Sequence, residues 1–487
     1  MRDFNYYLET IGEIGFIEEI RHSVVYASGL PNAHQGELII FESGGVGEVF
    51  SIGKKFLEIL TLTVDEIKVG GRLARTDELL QIPVGESLLG RAVDPIGRAI
   101  DKKGEIKFVK YSPIDSQPHG IVGRLPVQKP LETGVTIVDL VVPIARGQRE
   151  LIIGDRKTGK TDFLLQTLYT QARQGTICIY AIIGQKFMDI KAKLDFIKEK
   201  EIHDKTLIVA TSPSDSSGLI YLTPYSAMTH AEYFRSKGLD VLLILDDMTT
   251  HAKSYREISL LAKRFPGRSS YPGDIFFVQS RLLERAGNFK RGCITTLPVA
   301  ETLMGDLSGY IQTNLMSMTD GHIFFDIDLY NQGKRPAVNP FLSVTRIGHQ
   351  VQTPLARDLS KHLLSFLIKY EKMKQFMRFG AEAGETVRGI LELGKKLDIF
   401  FDQSSEEVIP PPINLCILAS LFAGVFSEVE IDRLKSEMQK IIINYDVDSG
   451  FRESINDFLS RFNNFSDIVN SLRQDSSVIS INKEFKK

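Results

Sequence analysis

Residues Gly154-Asp155-Arg156-Lys157-Thr158-Gly159-Lys160-Thr161 stand between a short apolar run, Glu150 to Ile153, and a helix-like opening at Thr161-Asp162-Phe163-Leu164-Leu165. A turn of the form G-x-x-x-x-G-K-S/T between a strand and a helix leaves few folds open. The strand must belong to a largely parallel sheet covered by helices. Backbone N–H groups of such a turn, with the helix N-terminus behind them, cradle an anion. Lys160 is placed to reach the terminal phosphates of a nucleotide, and the Thr161 hydroxyl to ligate Mg²⁺. Arg156 and Lys157 add positive charge to the loop.

Two further strand ends belong to the same chemistry. Val241 to Leu245 is continuously apolar and runs into Asp246-Asp247. A carboxylate at the tip of a buried strand can hold Mg²⁺ or its waters, which is the role expected of Asp246, while Asp247 supports it or caps the next helix. The strand expected at Thr176 to Ile183 ends in Gly184-Gln185-Lys186, with no carboxylate at its tip. A glutamine can orient a water but cannot accept its proton, so Gln185 leaves open whether the site turns a nucleotide over. Asp189 is expected one turn into a helix, as a solvated or pairing residue.

The frame around these residues has three zones. From about 10 to 90, short runs such as Glu37 to Phe41, Gly47 to Phe50 and Phe56 to Thr63 alternate with turns at Gly29, Gly44 and Gly70, which predicts a small β-barrel. From about 95 to 345, strands alternate with helices. Strands are expected at Glu150 to Ile153, Thr176 to Ile183, Thr206 to Ala210, Val241 to Leu245, Ile275 to Val278 and Ile323 to Ile327. From about 355 onward the spacing is helical: Leu359, Leu363, Phe366, Leu367, Tyr370, Met373 and Phe376 recur at three- and four-residue steps, with Gly380 expected to close that helix. The Pro410-Pro411-Pro412 run predicts a break between helices. The domain boundaries expected are 1–80, 81–355 and 356–487.

At 487 residues, two to four domains are expected. A net charge of −2 gives no general pull toward nucleic acid or anionic lipid. The apolar stretch Ile413 to Phe426 is too short to span a bilayer and is expected as a buried helix, and no signal peptide is visible. Cys178, Cys293 and Cys416 are scattered in apolar settings and are expected as buried thiols. Direct membrane insertion and nucleic-acid partners are therefore not expected.

Several segments resemble the alpha subunit of F-type rotary ATP synthases. They are Gly147 to Thr161, Gly184-Gln185-Lys186, Asp246-Asp247, Phe265-Pro266-Gly267-Arg268, Tyr271-Pro272-Gly273-Asp274, Ser280 to Ala286 and Ser343 to Gly348. The resemblance runs from about Gly12 to Leu472. It implies a β-barrel, a central RecA-like P-loop nucleotide-binding α/β domain and a C-terminal α-helical domain. It also implies an ATP- or ADP-binding, Mg²⁺-dependent site that is itself non-catalytic, with Gln185 where the beta subunit carries its catalytic carboxylate. The partners implied are beta-type catalytic subunits in an alternating hexameric ring, a central-stalk gamma-type subunit and a peripheral-stalk subunit. The place implied is the cytoplasmic face of the cell membrane, reached through a complex coupled to proton or sodium flow.

By position, Arg346 matches the alpha residue that projects into the neighbouring beta site as an arginine finger, and Ser317 another that faces that site. Arg335-Pro336 and Gln403 match residues beside the adenine, with Ser405 where the family has a second glutamine. Lys157 stands where the family often has glutamine. About ten residues precede the barrel pattern, in place of the helical segment that usually docks the peripheral stalk. The competing expectations are a catalytic homohexameric ATPase of a protein-export or related motor, and a ring RNA helicase. The first would need a carboxylate at position 185, the second an aromatic and basic barrel face.

Overall fold

The computed structural model describes residues 3–63, 67–107, 110–378 and 384–479. They fall into two compact units. The first holds residues up to 126, 147–152 and 172–320, and the second 127–146, 153–171 and 321 onward.

In the first unit, the helix Phe4–Ile11, capped by the Asp3 side chain, precedes six strands: β1 Ile14–Arg21, β2 Val24–Ser28, β3 Glu37–Phe41, β4 Val46–Ile52, β5 Leu57–Thr61 and β6 Arg72–Leu79. They close as a barrel in the order β1-β2-β5-β4-β3-β6, all antiparallel neighbours. Ile17, Val25, Ile39, Phe41, Ile59 and Leu73 fill the interior. These strands are the short runs of the sequence; β1 mixes buried and exposed positions, whereas β3 is buried throughout.

The same unit contains a parallel run of strands in the order Cys293–Glu301, Val241–Asp246, Ile177–Ile182, Thr206–Ala210 and Ala92–Val93. The strands Ile177–Ile182 and Val241–Asp246 are buried at every position. Their unbroken apolar character follows from cover on both faces. The barrel seats on the helix Ser217–Ser236: Ser216 Oγ donates to Thr61 O at 2.9 Å. A Cβ on Gly218 would lie 2.6 Å from Leu60 Cγ, so only glycine allows this approach.

Two expected strands are corrected. Ile275 to Val278 begins the helix Ile275–Leu283, in which Ile275, Gln279, Leu282 and Leu283 are buried while Phe276 and Phe277 are exposed. A short apolar run carries no periodicity of its own, and the helical stripe shows only when the window extends to Leu283. Ile323 to Ile327 straddles a boundary: the strand is Gly321–Phe325, and Ile327 opens a helix capped by Asp326. The strand Cys293–Glu301 was not anticipated. Its Thr295, Thr296 and Pro298 disguise a strand that is buried along almost its whole length.

In the second unit, the strand Gly321–Phe325 pairs antiparallel with Val344–Thr345. Among the described residues after Val344–Thr345, the α-helices are Pro354–Arg378, Glu385–Phe401, Pro411–Ala423, Ile431–Val447, Ser449–Ser460 and Phe465–Gln474. Pro411 and Pro412 sit in the first turn of their helix, where no N–H is needed, and Gly424 ends it in left-handed backbone at φ 83°. Ile413, Cys416, Ile417, Leu418 and Leu421 bury that helix all round. Gly380 lies outside the described residues. Cys178, Cys293 and Cys416 are buried and form no disulfide. Among the described residues, no helix is long and apolar enough to cross a membrane.

Candidate functional site

The phosphate loop belongs to the second unit and follows the strand Glu150–Gly154; the helix Lys160–Arg173 begins inside it. Gly154 is fixed by crowding. A Cβ there would lie 2.3 Å from Phe325 O and 2.8 Å from Phe325 Cβ. Phe325 also packs on Phe163, ring centroids 5.6 Å apart, which ties the loop's strand end to its helix. Thr158 Oγ1 donates to Asp155 O at 2.8 Å and closes the turn from within. Lys157, at φ 61°, and Gly159, at φ 92°, take left-handed backbone, and Lys157 is exposed.

Lys160 is only 9% exposed, and its Nζ donates to Gly154 O at 2.7 Å and Asp155 O at 2.5 Å. The ammonium is thus folded back over the turn, held by carbonyls that a stronger anionic acceptor could replace. Arg156 and Thr161 are exposed.

Arg335, Pro336, Gln403 and Arg346 fall in the same unit. Burial raises the Asp162 carboxyl, and the Arg335 guanidinium opposes the rise, which places Arg335 beside the first turn after the loop. That guanidinium lies over the Tyr330 ring at 3.6 Å and donates to Tyr330 O and Lys334 O, each at 2.8 Å. Arg335 and Pro336 line a groove of about 560 Å³ with Tyr370, Asp398 and Phe401. Gln403 is buried and its amide is committed. Oε1 accepts from Thr136 N at 2.9 Å, and Nε2 donates to Gly134 O and Glu407 O, each at 2.7 Å. Gln166, on the loop's own helix, donates to the same two carbonyls. Arg346 follows the strand Val344–Thr345 and is exposed.

Gln185, Asp246 and Ser317 belong to the first unit. Ser317 is exposed on the helix Tyr310–Met318, its Oγ donating to Thr313 O at 2.8 Å. Gln185 and Asp246 share one network. Gln185 Nε2 donates to Asp246 O at 3.1 Å, and Gln185 Oε1 accepts from Lys193 Nζ at 2.8 Å. Tyr180, fully buried, donates its hydroxyl to Asp246 Oδ2 at 2.9 Å, and Lys193 Nζ stands 3.8 Å from the same oxygen. Asp247 caps the helix Met248–Leu261 by accepting from Thr249 N at 2.6 Å and Thr250 Oγ1 at 2.9 Å. Burial first, then the charges of Glu301 and Asp246, push its carboxyl up to about 6. Asp189 is exposed in the first turn of the helix Phe187–Glu199.

Lys193 and Tyr180 were missed in the sequence. A signal for Lys193 was present: it falls on the buried stripe of its helix between Ile190 and Ile197, where an apolar residue is expected. Tyr180 carried none, being one aromatic in an apolar strand.

Two family models match the sequence. The nucleotide-binding domain of the ATP synthase alpha/beta family covers residues 134–345, and the C-terminal domain of the ATP synthase alpha/beta chains covers 352–473. The protein is 39% identical to the ATP synthase subunit alpha of Neorickettsia sennetsu over 443 residues, which is 88% of its own length and 87% of that relative's. It is 38% identical to the subunit of the same name from Petrotoga mobilis over 474 residues, 96% of its own length and 93% of that relative's. With the Staphylococcus aureus subunit alpha it shares 38% over 437 residues, 88% of its own length and 87% of that relative's.

Proposed function

Because the chain belongs to the ATP synthase alpha/beta family, on its alpha-subunit side, we propose that it holds Mg-ATP or Mg-ADP without hydrolysing it. In this reading it assists a beta-type neighbour that does the chemistry. The observation that carries the reading is Gln185. Its amide is tied to Asp246 O and Lys193 Nζ, and a glutamine cannot take a proton from an attacking water.

The residues divide by role. Gly154 to Thr161 cradle the phosphates with backbone N–H groups, and Lys160 exchanges its two carbonyl partners for phosphate oxygens. Thr161 and Asp246 would hold Mg²⁺. Two hard oxygen donors suit that ion, which keeps waters and substrate phosphates as its other ligands. Among the described residues no cluster of three acidic, His or Cys side chains exists that would suit an all-protein metal cage. Bound there, the ion would neutralise phosphate charge.

Arg335 and Pro336 flank the base. Gln403, with its amide committed to Gly134 and Glu407, shapes that side through the carbonyls it fixes. Arg346 and Ser317, both exposed, face the beta-type site, where a planar and always charged guanidinium stabilises charge on the transferring phosphoryl group. The functional domains divide near residues 80 and 355. The assembly is an alternating hexameric ring around a gamma-type shaft with a peripheral stalk, on the cytoplasmic face of the membrane, coupled to proton or sodium flow.

The test is direct. The purified protein should bind ATP, as followed by titration calorimetry, and release no phosphate above the buffer blank. Sustained hydrolysis by the isolated protein would falsify the non-catalytic reading.

A further inference from the structure

Gln166 is buried, 5% exposed, on the helix Lys160–Arg173 that the phosphate loop opens. A buried amide must find its hydrogen-bond acceptors inside the protein. Its Nε2 donates to Glu407 O and, at 3.4 Å, to Gly134 O. Gln403 Nε2 donates to those same two carbonyls, each at 2.7 Å, and the Ile409 N–H reaches Gly134 O at 3.1 Å. Gly134 has no slack in that place. A Cβ on it would stand 2.6 Å from Thr170 Oγ1, on the loop's own helix, and 2.7 Å from Val408 Cγ1. The segment 403–409 is thereby fastened to the helix behind the loop. The fastening continues to the base side, where the Gln403 N–H donates to Arg335 O at 2.8 Å. All of these residues lie in the second unit.

We propose that Gln166 is a positioning residue that fixes the base side of the site, Arg335 and Pro336, against its phosphate side. The inference rests on the nucleotide reading of the loop and of Arg335 and Pro336 given under the proposed function. A nucleotide engages both sides at once, and it gains fully from both only where their separation is set before it binds. Gln166 supplies that setting through a short chain of hydrogen bonds: from the loop's helix to Gly134 O and Glu407 O, through the Gln403 amide that shares them, to Arg335 O. Its own amide ends at the two carbonyls. Without its N–H donors the loop keeps its hold on phosphate, while segment 403–409 and Arg335 are less firmly tied to the loop's helix.

The test uses the full-length protein with Mg-ATP and with magnesium tripolyphosphate, which offers the phosphates without a base. Gln166→Met keeps the length of the side chain and removes its donors. The ratio of ATP affinity to tripolyphosphate affinity should fall about tenfold in this variant. An unchanged ratio in a folded Gln166→Met, including equal weakening of both ligands, overturns the inference and makes Gln166 a packing residue only. Hydrogen exchange of the unaltered protein tests the same link without a variant. Tripolyphosphate alone should slow exchange of the Gln403 and Ile409 amides about threefold or more. Exchange unchanged at saturating tripolyphosphate overturns the inference as well. No binding of either ligand by the unaltered protein overturns the nucleotide reading itself, and tripolyphosphate bound as tightly as ATP overturns its base side; in either case the inference falls with it.

Discussion

A single hydrogen on Gly154 separates a working loop from a blocked one. The Cβ of an alanine there would stand 2.3 Å from Phe325 O, a backbone atom with no rotamer to turn. The loop or the strand Gly321–Phe325 would have to shift, and overpacking of this kind costs about 1–3 kcal/mol. Gly154→Ala should lower the urea midpoint and weaken ATP binding together. If it bound ATP like the unaltered protein, the strand end would have slack that the packing does not suggest. The motif made Gly154, Lys160 and Thr161 legible in the sequence because it fixes each by its type and spacing. Lys193 was not legible in the same way. Its partners Gln185 and Asp246 lie 8 and 53 positions away, and only the fold brings them to it. Gln403 shows a different gap, since its position matched a base-side residue while its amide turned out to serve the backbone of Gly134 and Glu407.

Two helices of the first unit, Ser217–Ser236 and Met248–Leu261, each bury a histidine completely. Burial lowers His230 and His251 to about 3, and among the described residues neither ring nitrogen of His230 has a hydrogen-bond partner. Below an unfolded value of 6.5, the unfolded protein takes up protons that the native helices refuse. Stability is therefore full above pH 6.5 and falls as pH drops toward 3, by about 2 kcal/mol per histidine at pH 5. Urea unfolding at pH 7 and pH 5 should show this loss, and His230→Leu should reduce it by roughly half. Equal losses in the two proteins would mean that other groups set the acid response. At this scale the reading from sequence was uneven for a physical reason. Runs buried on both faces, such as Val241–Asp246, announce themselves, but an apolar tetrapeptide like Ile275 to Val278 fits a strand or a helix equally well. The strand Cys293–Glu301 hid behind a proline and two threonines.

For the molecule as a whole, the order barrel, α/β domain and helical domain was legible because hydrophobic period changes twice along the sequence, from two to mixed to helical. The role proposed for Arg346 at a neighbour rests on resemblance alone, since an exposed arginine after a two-residue strand has no signature of its own. The assembled complex tests it. Arg346→Ala should leave ATP binding by the isolated protein unchanged and slow turnover of a complex with beta-type subunits by about 10³-fold. Normal turnover in that complex would remove the finger assignment. The interleaving of the two units has a temporal consequence. The backbone passes from one to the other at 126/127, 146/147, 152/153, 171/172 and 320/321. During synthesis, the phosphate loop and its helix emerge well before residues 321 onward, with which they form a unit. At about 5–20 residues per second, the stretch between them takes roughly 7–30 s to make. For that interval Phe163 has no Phe325 to meet, and the loop is made before the strand end that crowds Gly154 and packs on its helix.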